Sequence, residues 1–120
     1  MDPDRPNGLL AWQWQNYAAN HRHPTNLVIH IVTVPLFWLG AASVVTAPFS
    51  GWAGLGGLVP MLLGAALQGR GHKLEAAAPQ PFRSPFDAVK RLWWEQWITF
   101  PRYVLSGQWS AARRAAKGSP

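Results

Sequence analysis

Four histidines, His21, His23, His30 and His72, carry the most chemistry in this 120-residue chain. Neutral imidazole is the commonest metal ligand. Asn26 and His30 are four apart, so on a helix they point the same way. Gln68, His72 and Glu75 follow at four- and three-residue steps and predict a polar stripe on one helix face. His21 closes the series Leu10, Trp14, Tyr17, His21, which recurs at helical spacing. Three nitrogen ligands from separate elements, with a carboxylate close by, suit zinc or non-haem iron, and the residue types admit both. The ordinary role of any single histidine is structural, as a satisfied polar side chain. Other chemistries have little support. With no cysteine there is no disulfide framework and no thiolate. There is no CxxC or HExxH, and Gly69-Arg70-Gly71 lacks the spacing and ending of a phosphate loop. Ser43, Ser50 and Ser106 have no His/Asp arrangement that would support a hydrolase.

The elements that must position these histidines are apolar. Hydrophobic residues make up 48% of the chain and charged residues 13%, about half the share usual in a soluble domain. From His23 to Gly69 there is no Asp, Glu, Lys or Arg. A small domain has a high surface-to-volume ratio and needs polar residues throughout, so a run of this kind is hard to place in water. The eight tryptophans favour membrane interfaces. The net charge of +6 could point to nucleic acid. The basic residues, however, flank apolar segments and cluster in a terminal tail, which argues against a nucleic-acid partner. The acidic, Pro-containing start lacks the basic and apolar regions of a signal peptide, so the apolar segments are expected in the mature chain.

The pattern predicts an all-α protein. A short N-terminal helix covers roughly Leu9 to His21, with Asn7 as its N-cap, and Pro24 ends it. Thr25 then caps a second helix, Leu27 to Ala47, long enough to span a bilayer core and carrying Pro35 as a possible kink. Pro48-Phe49-Ser50-Gly51 reads as a turn. Trp52 to Gln68, rich in Gly and Ala, completes an apolar hairpin. After a Pro-rich loop, Ser84-Pro85-Phe86-Asp87 marks a helix start, and the helix runs to about Phe100. Phe86, Val89, Trp93, Trp97 and Phe100 form one stripe, and Asp87, Arg91 and Glu95 alternate in charge on another face. That is the pattern of an amphipathic helix in the membrane interface. The expected organisation is one helical membrane domain over 1–109 and a basic, frayed tail over 110–120.

Orientation follows from charge. Arg22 precedes the hairpin, Arg70 and Lys73 follow it, and the turn between has no charge. The positive-inside rule predicts an integral membrane protein with both termini cytoplasmic. An antiparallel hairpin then brings His21, His30 and His72 into one layer at that end.

The string Tyr17-x3-His21-x4-Asn26-x3-His30 with Pro35 after it, together with Gly71-His72-x2-Glu75-x3-Pro79, resembles the family of 2-hydroxy fatty acid dioxygenases. The resemblance runs from about Leu10 to Trp109. It implies a small membrane protein that binds Fe(II) through histidines and uses O2 in an alpha-oxidation that shortens a 2-hydroxy fatty acid by one carbon. The matching metal positions are His21, His30 and His72. Glu75 would be a fourth ligand or an acceptor that orients a histidine, although it lies three places after His72 where the family's best-known member has four. Asn26 and Tyr17 would hydrogen-bond near the site; equally, Asn26 reads as a helix cap and Tyr17 as interface packing. His23 has no counterpart and is peripheral. The acyl chain would lie in the bilayer, among membrane lipids, between Leu27–Ala47 and the Gly-rich helix. Arg22, Arg70 or Lys73 would attract its carboxylate. The alternative function is a non-enzymatic membrane scaffold or lipid-binding protein whose histidines make interhelical hydrogen bonds.

Overall fold

The structure, a computed structural model, describes residues 2–118, and among these it is all-helical. Helix α1 spans Leu9–Tyr17 and tightens into a 3₁₀ turn at Ala18–Asn20. Gly8, not Asn7, occupies the N-cap, with φ of 90° and no side-chain capping bond. Helix α2 runs Pro24–Val45. Its cap is His23, whose side chain accepts from the Thr25 backbone N–H, and Pro24 sits in the first turn. That position suits proline because its missing N–H would have had no helical partner there. Pro35 lies inside α2 without ending it. The expected turn is a one-turn helix, α3, Ala47–Ser50, followed by α4, Trp52–Leu55. Helix α5 spans Leu58–His72.

The hairpin closes through α2 and α5, which pack along their length. A methyl group on Gly57 would collide with the backbone carbonyl of Gly40, and one on Gly40 with that of Gly57. Backbone therefore meets backbone at this crossing, as small residues permit in membranes. No space is left there for an acyl chain, contrary to the expectation above. The segments Pro24–Val45 and Trp52–His72 are long and apolar enough to cross a membrane, and only 33% and 22% of their most apolar windows are covered by protein. Leu39, Val45, Phe49, Trp52 and Leu62 all point outward.

The third layer is a broken helix: α6, Pro85–Trp94; a π-helical turn, Glu95–Thr99; and α7, Phe100–Leu105. The expected start is present, since the Ser84 hydroxyl accepts from the Asp87 N–H and Pro85 opens the first turn. The expected end at Phe100 is passed, because the π turn absorbs an extra residue and the helix continues. Such turns free a carbonyl and occur often at functional sites. Here Trp38 Nε1 donates to Gln96 O at 2.7 Å. Helix α8, Gln108–Gly118, packs back on α2 and α7, with Trp109 Nε1 donating to Leu27 O at 3.0 Å. Most of the segment expected as a frayed tail is thus a docked helix; Ser119 and Pro120 lie outside the described residues.

The interior is polar. Among the described residues the buried polar and charged side chains outnumber the buried apolar ones, whose cluster is Tyr17, Leu27, Val34, Phe100 and Tyr103. In particular the charged face of α6 turns inward, with Asp87, Arg91 and Glu95 all buried, while Phe86 and Val89 face out. Arg5 Nη1 donates to Asp87 Oδ1 at 2.7 Å, tying the N-terminal segment to α6. Hydrogen bonding from Arg5, against the opposing effect of burial, holds the Asp87 carboxyl well below the usual range. A depressed folded pKa contributes stability that is present above the unfolded value near 3.9 and lost as pH falls through the folded one. Asp87→Asn should therefore lower stability at neutral pH by roughly 3–5 kcal/mol, the effect of stripping one partner from a buried pair. Helical melts in detergent should also lose part of their acid-side slope below about pH 4.

Candidate metal centre

The sequence folds so that three histidines from three segments face one point. His21 follows the 3₁₀ turn, His30 lies two turns into α2, and His72 is the last residue of α5. Tyr17 stacks on His21 with centroids 3.7 Å apart, which sets the plane of that ring. The three imidazoles stand nearly perpendicular to one another, with centroids 4.6–5.1 Å apart. The carboxylate that joins them is Glu95, the first residue of the π turn. One ligand atom from each of His21, His30, His72 and Glu95 falls within 4.8 Å of the others, so the group could hold a metal ion.

Hydrogen bonding fixes how the rings present themselves. His21 Nδ1 lies 2.7 Å from Tyr17 O, and His30 Nδ1 lies 3.0 Å from Asn26 O. A carbonyl only accepts, so in each ring Nδ1 carries the proton, and in the neutral ring Nε2 offers a bare lone pair. Both Nε2 atoms are buried without a hydrogen-bond partner, as is Nδ1 of His72. Each Nε2 also faces Glu95 Oε2, at 3.4 Å from His21 and 3.3 Å from His30. Bare lone pairs against a buried carboxylate repel unless a positive charge lies between them. Ligand atoms around a four- to six-coordinate metal with bonds near 2.1 Å sit roughly 3.0–3.4 Å apart. The donor set therefore fits a metal, and the Nδ1–carbonyl bonds are the outer contacts that normally orient ligating histidines.

Tyr17 bonds twice at this centre. Its hydroxyl donates to Glu95 Oε2 at 2.7 Å, and its carbonyl accepts from His21. Burial, reinforced by the Glu95 charge, raises the phenol pKa well above 10, so it remains a donor. Asn26 orients His30 through its backbone carbonyl, while its side-chain Nδ2 donates to Glu75 Oε2 at 2.8 Å.

Glu75 lies elsewhere than its spacing to His72 predicts. Helix α5 ends at His72, and the chain then tightens into successive turns, with Glu75 N bonded to His72 O. The helical stripe is lost at that point. Glu75 instead accepts from the backbone N–H groups of Arg22 and His23 and from Asn26. It fastens the post-α5 turn to the start of α2. His23 serves as the α2 cap, outside the cluster. Arg22, Arg70 and Lys73 are exposed. Glu95 is not singled out by the sequence, where Asp87, Arg91 and Glu95 read as the charged face of an interfacial helix. The available signal was the opposite stripe: where Phe86, Val89, Trp93 and Trp97 turn outward, the polar face turns inward.

A cavity of about 320 Å³ opens on the cluster, within the size range of small-molecule sites. His21, His72 and Glu95 line one part of it, and Gln13, Arg91 and Phe82 another. A reciprocal amide pair, Gln68 with Gln96 at 2.8 and 3.0 Å, braces α5 against the π turn beside it.

Residues 9–102 match the family described as 2-hydroxy-palmitic acid dioxygenase Mpo1-like. The chain belongs to that family. The matched span contains all four members of the cluster, and it includes the cavity wall from Trp12 to Glu95. Searches among curated proteins and among solved structures give no match. The name of the Mpo1-like family carries a dioxygenase activity and a 2-hydroxy fatty acid, and a cluster of three histidines and one glutamate is chemically compatible with both.

Proposed function

We propose that this protein is an integral membrane, iron-dependent dioxygenase that shortens 2-hydroxy fatty acids by one carbon. The observation that carries the reading is the set of buried, unpartnered imidazole nitrogens of His21, His30 and His72 arranged around the Glu95 carboxylate at one end of a cavity. His21, His30, His72 and Glu95 would hold the metal. Bound iron would supply O2 activation and a Lewis-acidic position for the substrate's 2-hydroxyl. Tyr17 orients Glu95 and His21, Asn26 orients His30, and Glu75 fixes the segment that carries both. The reaction balances without an outside reductant. C2 passes from alcohol to carboxyl, C1 leaves as carbon dioxide, and one O2 is consumed with one water formed.

The membrane setting rests on the two long apolar helices and their uncovered outer faces. Arg22, Arg70 and Lys73 gather at the cluster end of the hairpin and support cytoplasmic termini. The test uses purified protein, 2-hydroxypalmitate and O2. The expected product is the acid one carbon shorter, formed by the wild type and abolished in His72→Ala. If His72→Ala keeps full turnover, the assignment of the site is wrong.

A further inference from the structure

The exposed cations Arg22, Arg70 and Lys73 do not line the cavity, whereas the buried Arg91 does. Its guanidinium is only partly engaged by protein. Nη1 donates to Pro81 O at 3.1 Å and lies 3.5 Å from Asp87 Oδ2, and Nη2 donates to Gln80 O at 2.8 Å. A guanidinium has five N–H donors. Nε and one Nη2 proton therefore have no acceptor among the described residues, and Nε with Nη2 forms the edge of the fork that carboxylates take side-on.

The ion pair of Arg91 is also the weaker of two on one carboxylate. Asp87 pairs first with Arg5, at 2.7 Å, and stands at the longer distance from Arg91. Arg91 thus shares Asp87 with Arg5 and is the more weakly held of the two guanidiniums. The carbonyls of Gln80 and Pro81 and the rings of Phe82 and Trp12, whose centroids lie 4.5 and 4.9 Å from Arg91 Cζ, hold the group in place without neutralising it. Arg91 and Glu95 lie one helical turn apart along the same cavity.

We infer that Arg91 is the specificity-determining residue for the substrate carboxylate, receiving it on its Nε/Nη2 edge so that the adjacent carbon faces the histidine cluster. This rests on the reading of the cavity as the fatty-acid site. A buried guanidinium with donors still free takes a carboxylate of matching shape, and a lysine offers no such fork. Neutral ligands of the same length gain nothing from it.

The test is equilibrium binding to the full chain, as purified in detergent, of hexadecanoate and hexadecan-1-ol. Neither has a 2-hydroxyl, so neither is a substrate. The wild type should favour the acid by roughly 10- to 100-fold, the range of a charge-assisted hydrogen-bond pair. Arg91→Gln should lose that preference with alcohol affinity and metal content unchanged, and Arg91→Lys should retain only part of it. A folded Arg91→Gln protein that still prefers the acid overturns the proposal. So does a wild type that binds acid and alcohol equally, whether or not the variant folds. If the wild type binds neither ligand, the cavity's assignment as an acyl site fails, and the Arg91 proposal falls with it.

Discussion

His30→Ala is expected to purify without stoichiometric metal and to show no O2 uptake with 2-hydroxypalmitate. His30 is fully buried, and its Nδ1 is committed to Asn26 O, so Nε2 has one direction in which to act. That direction holds the Glu95 carboxylate and the other two rings. Loss of an outer-shell partner of a metal ligand costs about 10- to 100-fold in affinity. Loss of a ligand itself should exceed that range. The variant should still fold, because the imidazole's hydrogen bond is to a carbonyl of its own helix and ties no two elements together. Circular dichroism alongside metal analysis separates an emptied site from a collapsed protein. A His30→Ala protein with full metal content would remove His30 from the ligand set.

Glu95→Gln and Glu75→Gln are expected to behave differently, although both remove one carboxylate charge near the same helices. Glu95 faces bare Nε2 atoms at 3.3 and 3.4 Å and takes the Tyr17 hydroxyl. Its charge is what a cation at the centre would meet, so Glu95→Gln should lower metal affinity by at least 100-fold, more than an outer-shell loss. Glu75 accepts from two backbone N–H groups and the Asn26 amide. A glutamine there brings an NH2 group against donors. It should lower stability by about 1.5–3 kcal/mol, the scale of hydrogen bonds to a charged group, while metal content stays near stoichiometric. Isothermal titration with Fe(II) under anaerobic conditions and thermal melts measure the two effects separately. Equal loss of metal in both variants would contradict the distinction.

These contrasts mark what is legible in the sequence. The hairpin is legible because charge is absent over a long run and small residues recur. The meeting of three histidines is legible because Asn26–His30 and Gln68–His72 keep helical spacing on antiparallel neighbours. The identity of the carboxylate is not. Spacing alone extends the α5 stripe to Glu75, but the helix stops at His72, and nothing in the local residues announces that end. Glu95 is obscured because Asp87, Arg91 and Glu95 read equally well as the charged outer face of an interfacial helix. The inversion of α6, with Asp87, Arg91 and Glu95 inside and Phe86 and Val89 outside, follows only when the surroundings are apolar. The π turn is likewise invisible to a periodicity of 3.6, yet it starts at Glu95 and frees the Gln96 carbonyl for Trp38. The cavity is hidden for a related reason: glycines that invite close packing leave no space between α2 and α5 where they cross, and the cavity lies instead among α1, α5, α6 and the Pro-rich loop.

The central claim is that the three histidines and Glu95 form an iron site. The most direct measurement is the metal content of the full chain, purified in detergent and reconstituted anaerobically with Fe(II). One iron per chain, retained through desalting by the wild type and lost in His30→Ala, is the predicted result. A folded wild-type protein that retains no iron under those conditions would contradict it.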